Sequence, residues 1–120
     1  MKIELVEIDR KEDELFFEII DRDTNVNVGI LFTVGSHIAY EIYPQFRKQG
    51  IATESLKYIT FKINRPILEI TSDNFASKRV AEKAGYKLTR MEYPFEIYEY
   101  SEQNGKIKWF MINKRKSNLQ

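Results

Sequence analysis

The chain has 120 residues, 42% of them hydrophobic and 13% aromatic, which suits one small domain with its own core and leaves little length for a second. Its 19 Lys and Arg balance 18 Asp and Glu; with no Cys and a single His, a disulfide framework, a thiolate nucleophile and a Cys-based metal site are excluded, and no metal is expected. No run of about 18 apolar residues could span a bilayer, and the start Met-Lys-Ile-Glu-Leu-Val-Glu is too charged for a signal peptide, so a cytoplasmic protein with no membrane partner is expected.

In chain order, Lys2 to Ile8 alternates as a strand does, and Asp9 to Glu14 reads as a polar turn. Leu15 to Ile20 and Val26 to Val34 read as two strands joined by Asp21-Arg22-Asp23-Thr24-Asn25, and Gly35-Ser36 turns the chain into a fourth, His37 to Tyr43. In that strand Ile38, Tyr40 and Ile42 share one face, while His37, Ala39, Glu41 and Tyr43 share the other. The first third is thus expected to be an antiparallel meander.

Pro44 cannot donate to a sheet ladder and ends the fourth strand. Ala52, Leu56, Ile59 and Ile63 then recur at helical spacing, which predicts a helix over about 52–63, closed by Asn64-Arg65-Pro66. Between strand and helix lies Arg47-Lys48-Gln49-Gly50-Ile51-Ala52. Gly50 permits an open backbone and Ala52 keeps the helix start free of bulk. The first turn of such a helix has unpaired N–H groups and the positive end of its dipole, beside Arg47 and Lys48, and this is an anion site, most simply for a pyrophosphate.

Ile67 to Thr71 is a short buried strand, and strand, helix and strand in this order join as a right-handed parallel crossover. A second helix is expected from about Phe75 to Ala84, with Asn74 as N-cap and Gly85 as its stop. Tyr86 to Met91 and Phe95 to Tyr100 are strand-like around Pro94. Asn104-Gly105 turns the chain into Lys106 to Ile112, which completes a single domain over 1–113, and 114–120 reads as a basic tail.

The near-neutral total hides a division. Residues 1–46 carry four Lys/Arg against ten Asp/Glu, residues 47–87 nine against four, and residues 88–120 six against four. A basic segment around the glycine turn, after an acidic first third, suits an anionic cofactor and a cationic acceptor. It does not suit a nucleic-acid binder, whose basic residues would dominate the whole domain.

Arg47-x-x-Gly50-x-Ala52 resembles the acyl-CoA-binding signature of the GNAT superfamily of N-acetyltransferases, with Pro44-Gln45-Phe46-Arg47 resembling its lead-in. Asn74-Phe75-Ala76-Ser77, followed by Arg79-Val80-Ala81-Glu82-Lys83-Ala84-Gly85-Tyr86, resembles the second signature of that family. The likeness covers roughly residues 26–113. It implies a mixed α/β domain, a mostly antiparallel sheet with a central splayed parallel strand pair and two main helices. It also implies acetyl-CoA as acyl donor, coenzyme A as product and an amine as acceptor.

By the same resemblance, backbone N–H groups of Gln49, Gly50, Ile51, Ala52 and Thr53 hold the pyrophosphate. The pantetheine pairs with the strand near Glu41, Ile42 and Tyr43, and Asn74 touches the cofactor from the other side. Many family members carry a Tyr where this chain has Ala81, and that Tyr is often the acid for the departing thiolate. Asn74-x-x-Ser77 without it resembles the branch containing ribosomal-protein N-terminal acetyltransferases and some polyamine or antibiotic acetyltransferases, in which Ser77 becomes a candidate acid. Ser77 can also serve simply as a first-turn helix residue bonding the backbone.

Family members usually place one or two helices between the first two strands, walling the acceptor site, and Asp9 to Glu14 is too short for them. The acceptor site should then be open, or completed by a second copy of the chain. Uncovered surface from Phe16, Phe17, Tyr93, Phe95, Tyr98 or Tyr100 would favour a homodimer. Glu41 is the candidate base, on the strand that should be splayed, with His37 and Tyr43 on its face able to relay a proton through water. Two other readings are a CoA-binding module of the same fold with little turnover, and a small α/β domain for a different phosphate ligand.

Overall fold

The computed structural model describes residues 1–100, and the expected turn at Asn104-Gly105, the strand Lys106 to Ile112 and the tail 114–120 lie outside the described residues. The first third is the expected meander: β1 (Ile3–Lys11), β2 (Glu14–Asp21), β3 (Val26–Val34) and β4 (His37–Ile42), each antiparallel to the last. One boundary differs. The stretch Asp9 to Glu14 is not a six-residue turn, because β1 runs on to Lys11 and only Glu12-Asp13 turns, with Glu12 at φ 39. Asp9, Arg10 and Lys11 are polar because β1 is an edge strand whose outer residues meet solvent, where Arg10 Nη2 pairs with Glu7 Oε1 at 2.8 Å. β1 and β2 thus form a direct hairpin with no helix between them.

Among the described residues seven strands order as β1-β2-β3-β4-β5-β7-β6, including β5 (Ile67–Thr71), β6 (Tyr86–Glu92) and β7 (Phe95–Tyr100). β4 and β5 are parallel and meet at one pair, His37 with Ile67, where Ile67 N–H donates to the Ser36 carbonyl at 2.8 Å. Beyond that pair no ladder joins them, and the strands part toward their carboxyl ends. Gly29 serves the other flank of β4: a Cβ there would collide with the Glu41 carbonyl, so only glycine lets β3 lie this close.

Helices α1 (Ile51–Thr60) and α2 (Phe75–Lys83) touch each other and pack on one face of the sheet. Ile51, Leu56 and Ile59 of α1 and Ala81 of α2 join Leu31, Ile38, Ile42, Leu68 and Ile70 in a single core. α1 stops three residues short of the expected end, with Lys62 N–H returning to Ile59 O at 2.9 Å and Arg65 at φ 52 before Pro66. No helix among the described residues is long and apolar enough to cross a membrane.

Among the described residues the other face carries no helix. By strand register it presents Phe16, Phe32 and Ala39 in one row and Glu18, Ile30 and Glu41 in the next, with Phe16 and Phe32 stacked at 5.9 Å between centroids. The expected uncovered aromatics are only partly so. Phe17 and Tyr98 are buried on the helix-covered side of the sheet, Phe16, Phe95 and Tyr100 are half-buried, and Tyr93 is 92% exposed.

Tyr86 closes the core under α1. It is 1% exposed, and its hydroxyl lies 2.6 Å from Thr60 Oγ1; since Thr60 donates to the Leu56 carbonyl, the phenol is the donor. Burial pushes this phenol up to about 12. An acid whose proton is held more tightly in the folded chain stabilises fully below its unfolded value near 10 and loses that contribution as pH rises. Stability should therefore fall by about 2–3 kcal/mol between pH 10 and 12 through Tyr86 alone. Urea titrations of wild type and Tyr86→Phe over that range should show a shallower alkaline decline in the variant, and parallel declines would assign the loss elsewhere.

Candidate active site

The parting of β4 and β5 makes a wedge whose wall is backbone. Tyr43 N–H donates to Val28 O at 3.0 Å, so by the alternation of an antiparallel ladder Glu41 also bonds toward β3, while the N–H and C=O groups of Tyr40 and Ile42 turn into the wedge. One of those groups is taken, because Arg47 Nε donates to the Ile42 carbonyl at 2.8 Å. The region expected to pair with a pantetheine, Glu41 to Tyr43, thus offers its free backbone groups at Tyr40 and Ile42. Arg47 is tied to the strand end rather than standing as a free cation.

The chain leaves β4 through a 3₁₀ turn, Pro44–Phe46, and then bends sharply at Lys48 (φ 63) and Gly50 (φ 79, ψ 8). Gly50 is the N-cap of α1 and supplies no side chain, and the first helical bond runs from Glu54 N–H to Gly50 O at 3.1 Å. The N–H groups of Ile51, Ala52 and Thr53 therefore lack helical acceptors and face a cleft of about 840 Å³. Ile51 contributes through its backbone, since its side chain is in the core. Lys48 borders the cleft, with Arg79 and Lys83 opposite on α2, and Gln49 does not line it. An anionic ligand fits this donor set by charge and by the space where a Gly50 side chain would stand.

α2 brings the second motif to the same cleft. Asn74 caps the helix, its Oδ1 accepting from Ser77 N–H at 3.1 Å, which leaves the Ser77 hydroxyl unused by the backbone cap. Tyr40 of β4 lines the same cleft as Ser77. Burial raises the Tyr40 phenol above its ordinary value. Ala81, one turn further along α2, is fully buried and presents no polar atom. The helix is clamped to β7 by Lys78 Nζ on Glu96 Oε2 at 2.6 Å, with Lys78 over the Phe75 ring at 5.0 Å. The Lys78 ammonium, foremost by that hydrogen bond, holds the Glu96 carboxyl below the usual range.

Glu41 lines the cleft from the face of β4 opposite Tyr40, so the carboxylate and the two hydroxyls approach the wedge from opposite sides of the sheet. His37 does not join it. It sits about 13 Å down the strand, four residues at roughly 3.3 Å each, and its Nε2 pairs with Glu69 Oε1 at 3.1 Å. Tyr43 lies past the strand end as cap of the 3₁₀ turn. Tyr40 is the site residue that sequence reasoning missed: its alternation with Ile38 and Ile42 marks a core aromatic, and nothing local says that it lines a cleft shared with a serine of another element.

Residues 2–87 match the sequence model of the family described as acetyltransferase (GNAT) domain. No curated protein matches the chain significantly. Among solved structures, it is similar to the ribosomal L7/L12 α-N-protein acetyltransferase in complex with coenzyme A (22% identity, TM-score 0.62, 72% of this chain and 60% of that one). It is also similar to a microcin C7 self-immunity acetyltransferase in complex with acetyl-CoA and AMP (17% identity, TM-score 0.61, the same two shares). A third is the spermidine N-acetyltransferase from Vibrio cholerae in complex with coenzyme A and spermine (11% identity, TM-score 0.61, 73% and 64%). The chain thus spans less than two thirds of the length of these three proteins.

Proposed function

Because the chain belongs to the GNAT acetyltransferase family, we propose that it takes acetyl-CoA in the wedge between β4 and β5 and transfers the acetyl group directly to a primary amine. The observation that carries this reading is the parting of β4 from β5 after a single pair, directly above the side-chain-free start of α1. Free backbone groups at Tyr40 and Ile42 would align an extended amide-bearing chain, and the N–H groups of Ile51, Ala52 and Thr53 with Lys48 would hold its phosphates. The neighbours named above, crystallised with coenzyme A or acetyl-CoA, support the donor.

Transfer needs a neutral amine, stabilisation of a developing oxyanion and a proton for the leaving thiolate. Glu41 would take the proton from the amine on one side of the wedge, and Ser77 would supply one to sulfur on the other. A Lys side chain costs about 4–5 kcal/mol to deprotonate at neutral pH and an α-amine about 1 kcal/mol, so a site with one carboxylate base fits a small-molecule amine or peptide N-terminus of low basicity best. The test is release of coenzyme A from acetyl-CoA across a panel of amines, with competition by simple nucleotides. Amine-dependent release supports transfer. Binding without release would leave a CoA-binding module, and displacement by nucleotides alone a different phosphate ligand.

The sheet face on which no described helix packs would be the acceptor side. We expect a second copy of the chain to complete it, and Tyr93, exposed in the turn between β6 and β7, offers such a partner an aromatic contact. Light scattering at micromolar concentration should give twice the chain mass, and a monomer that turns over acetyl-CoA would mean the site is complete alone.

A further inference from the structure

We propose that Arg79 and Lys83 form a site for a further phosphate, the 3′-phosphate on the ribose of coenzyme A, and so make this protein select coenzyme A over its 3′-dephosphorylated form. The proposal rests on the acetyl-CoA reading above and deepens it.

The helix places the two cations. α2 runs along the cleft from Asn74 and Ser77 beside the wedge to Lys83 at the far end, and Ser77 and Lys83 stand about 9 Å apart along its axis. Arg79 and Lys83 are four residues apart, so they project from one face, and that face lines the cleft. Both are exposed, and among the described residues neither side chain has an ion-pair or hydrogen-bond partner.

Like charges at this spacing repel one another. Lys83 stands in the last turn, where the negative end of the helix favours a cation, and Arg79 stands mid-helix without that benefit. An anion held between them would turn the repulsion into attraction.

The cations around the cleft exceed what a pyrophosphate needs. That group meets the free N–H groups at the start of α1, the positive end of its dipole, and Lys48. Arg47 is held by the Ile42 carbonyl, and Glu41, the one carboxylate of the lining, belongs to β4 at the wedge. Arg79 and Lys83 are left on the opposite wall with no carboxylate of the lining beside them.

In coenzyme A the group next to the pyrophosphate, on the side away from the thiol, is a ribose bearing a phosphate monoester, which carries about −2 at neutral pH. With the thiol end in the wedge and the pyrophosphate at the start of α1, the ribose lies on the side of the cleft away from the wedge, toward which α2 carries Lys83. The Arg79 guanidinium offers a planar fork for two phosphate oxygens, and Lys83 adds a point charge.

Calorimetry of wild type, Arg79→Gln, Lys83→Gln, the double variant and Lys48→Gln with coenzyme A and with 3′-dephospho-coenzyme A tests this. Gln keeps helix propensity, and the substituted side chains are exposed, so the variants should fold, as circular dichroism can verify. Wild type should bind coenzyme A about ten- to a hundredfold more tightly than the dephosphorylated form, the span of charge-assisted hydrogen bonds. Each single change on α2 should narrow that gap, and the double variant should bind the two ligands within about threefold of each other. Lys48→Gln should weaken both ligands by the same factor and keep the gap. Equal affinity for the two ligands in wild type would overturn the proposal. So would a double variant that loses affinity for both alike, since Arg79 and Lys83 would then serve the pyrophosphate. Wild type that shows the gap yet acetylates no amine would sink the transfer reading and leave the phosphate site standing, and failure to bind either ligand would sink both.

Discussion

Gly50→Glu is expected to give a folded protein that no longer binds acetyl-CoA, with affinity reduced at least about a hundredfold, about 2.8 kcal/mol or more. Folding should survive for two reasons. No atom lies within 4 Å of where a Cβ would stand, and the left-handed backbone at φ 79 costs a non-glycine residue only about 1–2 kcal/mol. The carboxylate would sit at the positive end of α1, which tolerates it well, in the place of the phosphates. Gly50→Ala adds the same strain without charge or reach and should retain most of the affinity. Calorimetry distinguishes the cases, since equal affinity in wild type and a folded Gly50→Glu variant would put the cofactor somewhere else.

Glu41→Gln should cost most where the acceptor holds its proton tightly. For an amine near pKa 10, kcat/KM at neutral pH should fall about 10²–10⁴-fold, the span of general-base catalysis, because the amide is nearly isosteric and cannot take a proton. For aromatic amines, already neutral, the change should stay under about threefold. The pH profile for basic amines should steepen in the variant, following the fraction of free amine in solution. A loss of the same size across the series would make Glu41 a residue that orients the acceptor or the strand end.

How far these residues could be read from sequence depended on whether their partners were local. Gly50, Ala52 and the following helix were legible because backbone geometry and helical spacing are written in adjacent residues, and Asn74 because an N-cap acts three residues on, here on Ser77 N–H. The β1 extension was not, since Asp9-Arg10-Lys11 has the composition of a turn and becomes strand only through pairing with Glu14 to Phe16 across the hairpin. Arg47 looked like a phosphate ligand, and the carbonyl that holds its Nε belongs to a strand end whose direction no local pattern reveals. Tyr40 is the same case in stronger form: its ring obeys the alternation of the core, and it lines a cleft with a helix more than thirty residues away in sequence. Phe17 and Tyr98 were misjudged as surface because burial depends on which face the helices cover.

The most direct measurement is a single turnover with the protein in excess over acetyl-CoA labelled in its acetyl group, quenched at intervals and separated into donor, protein and amine. With no Cys to form a thioester and the base and the hydroxyls on opposite sides of one wedge, label should pass from coenzyme A to the amine in one phase, with none on the protein. Label that stays on bound coenzyme A however long an amine is present would contradict the account and leave a protein that binds the cofactor without using it.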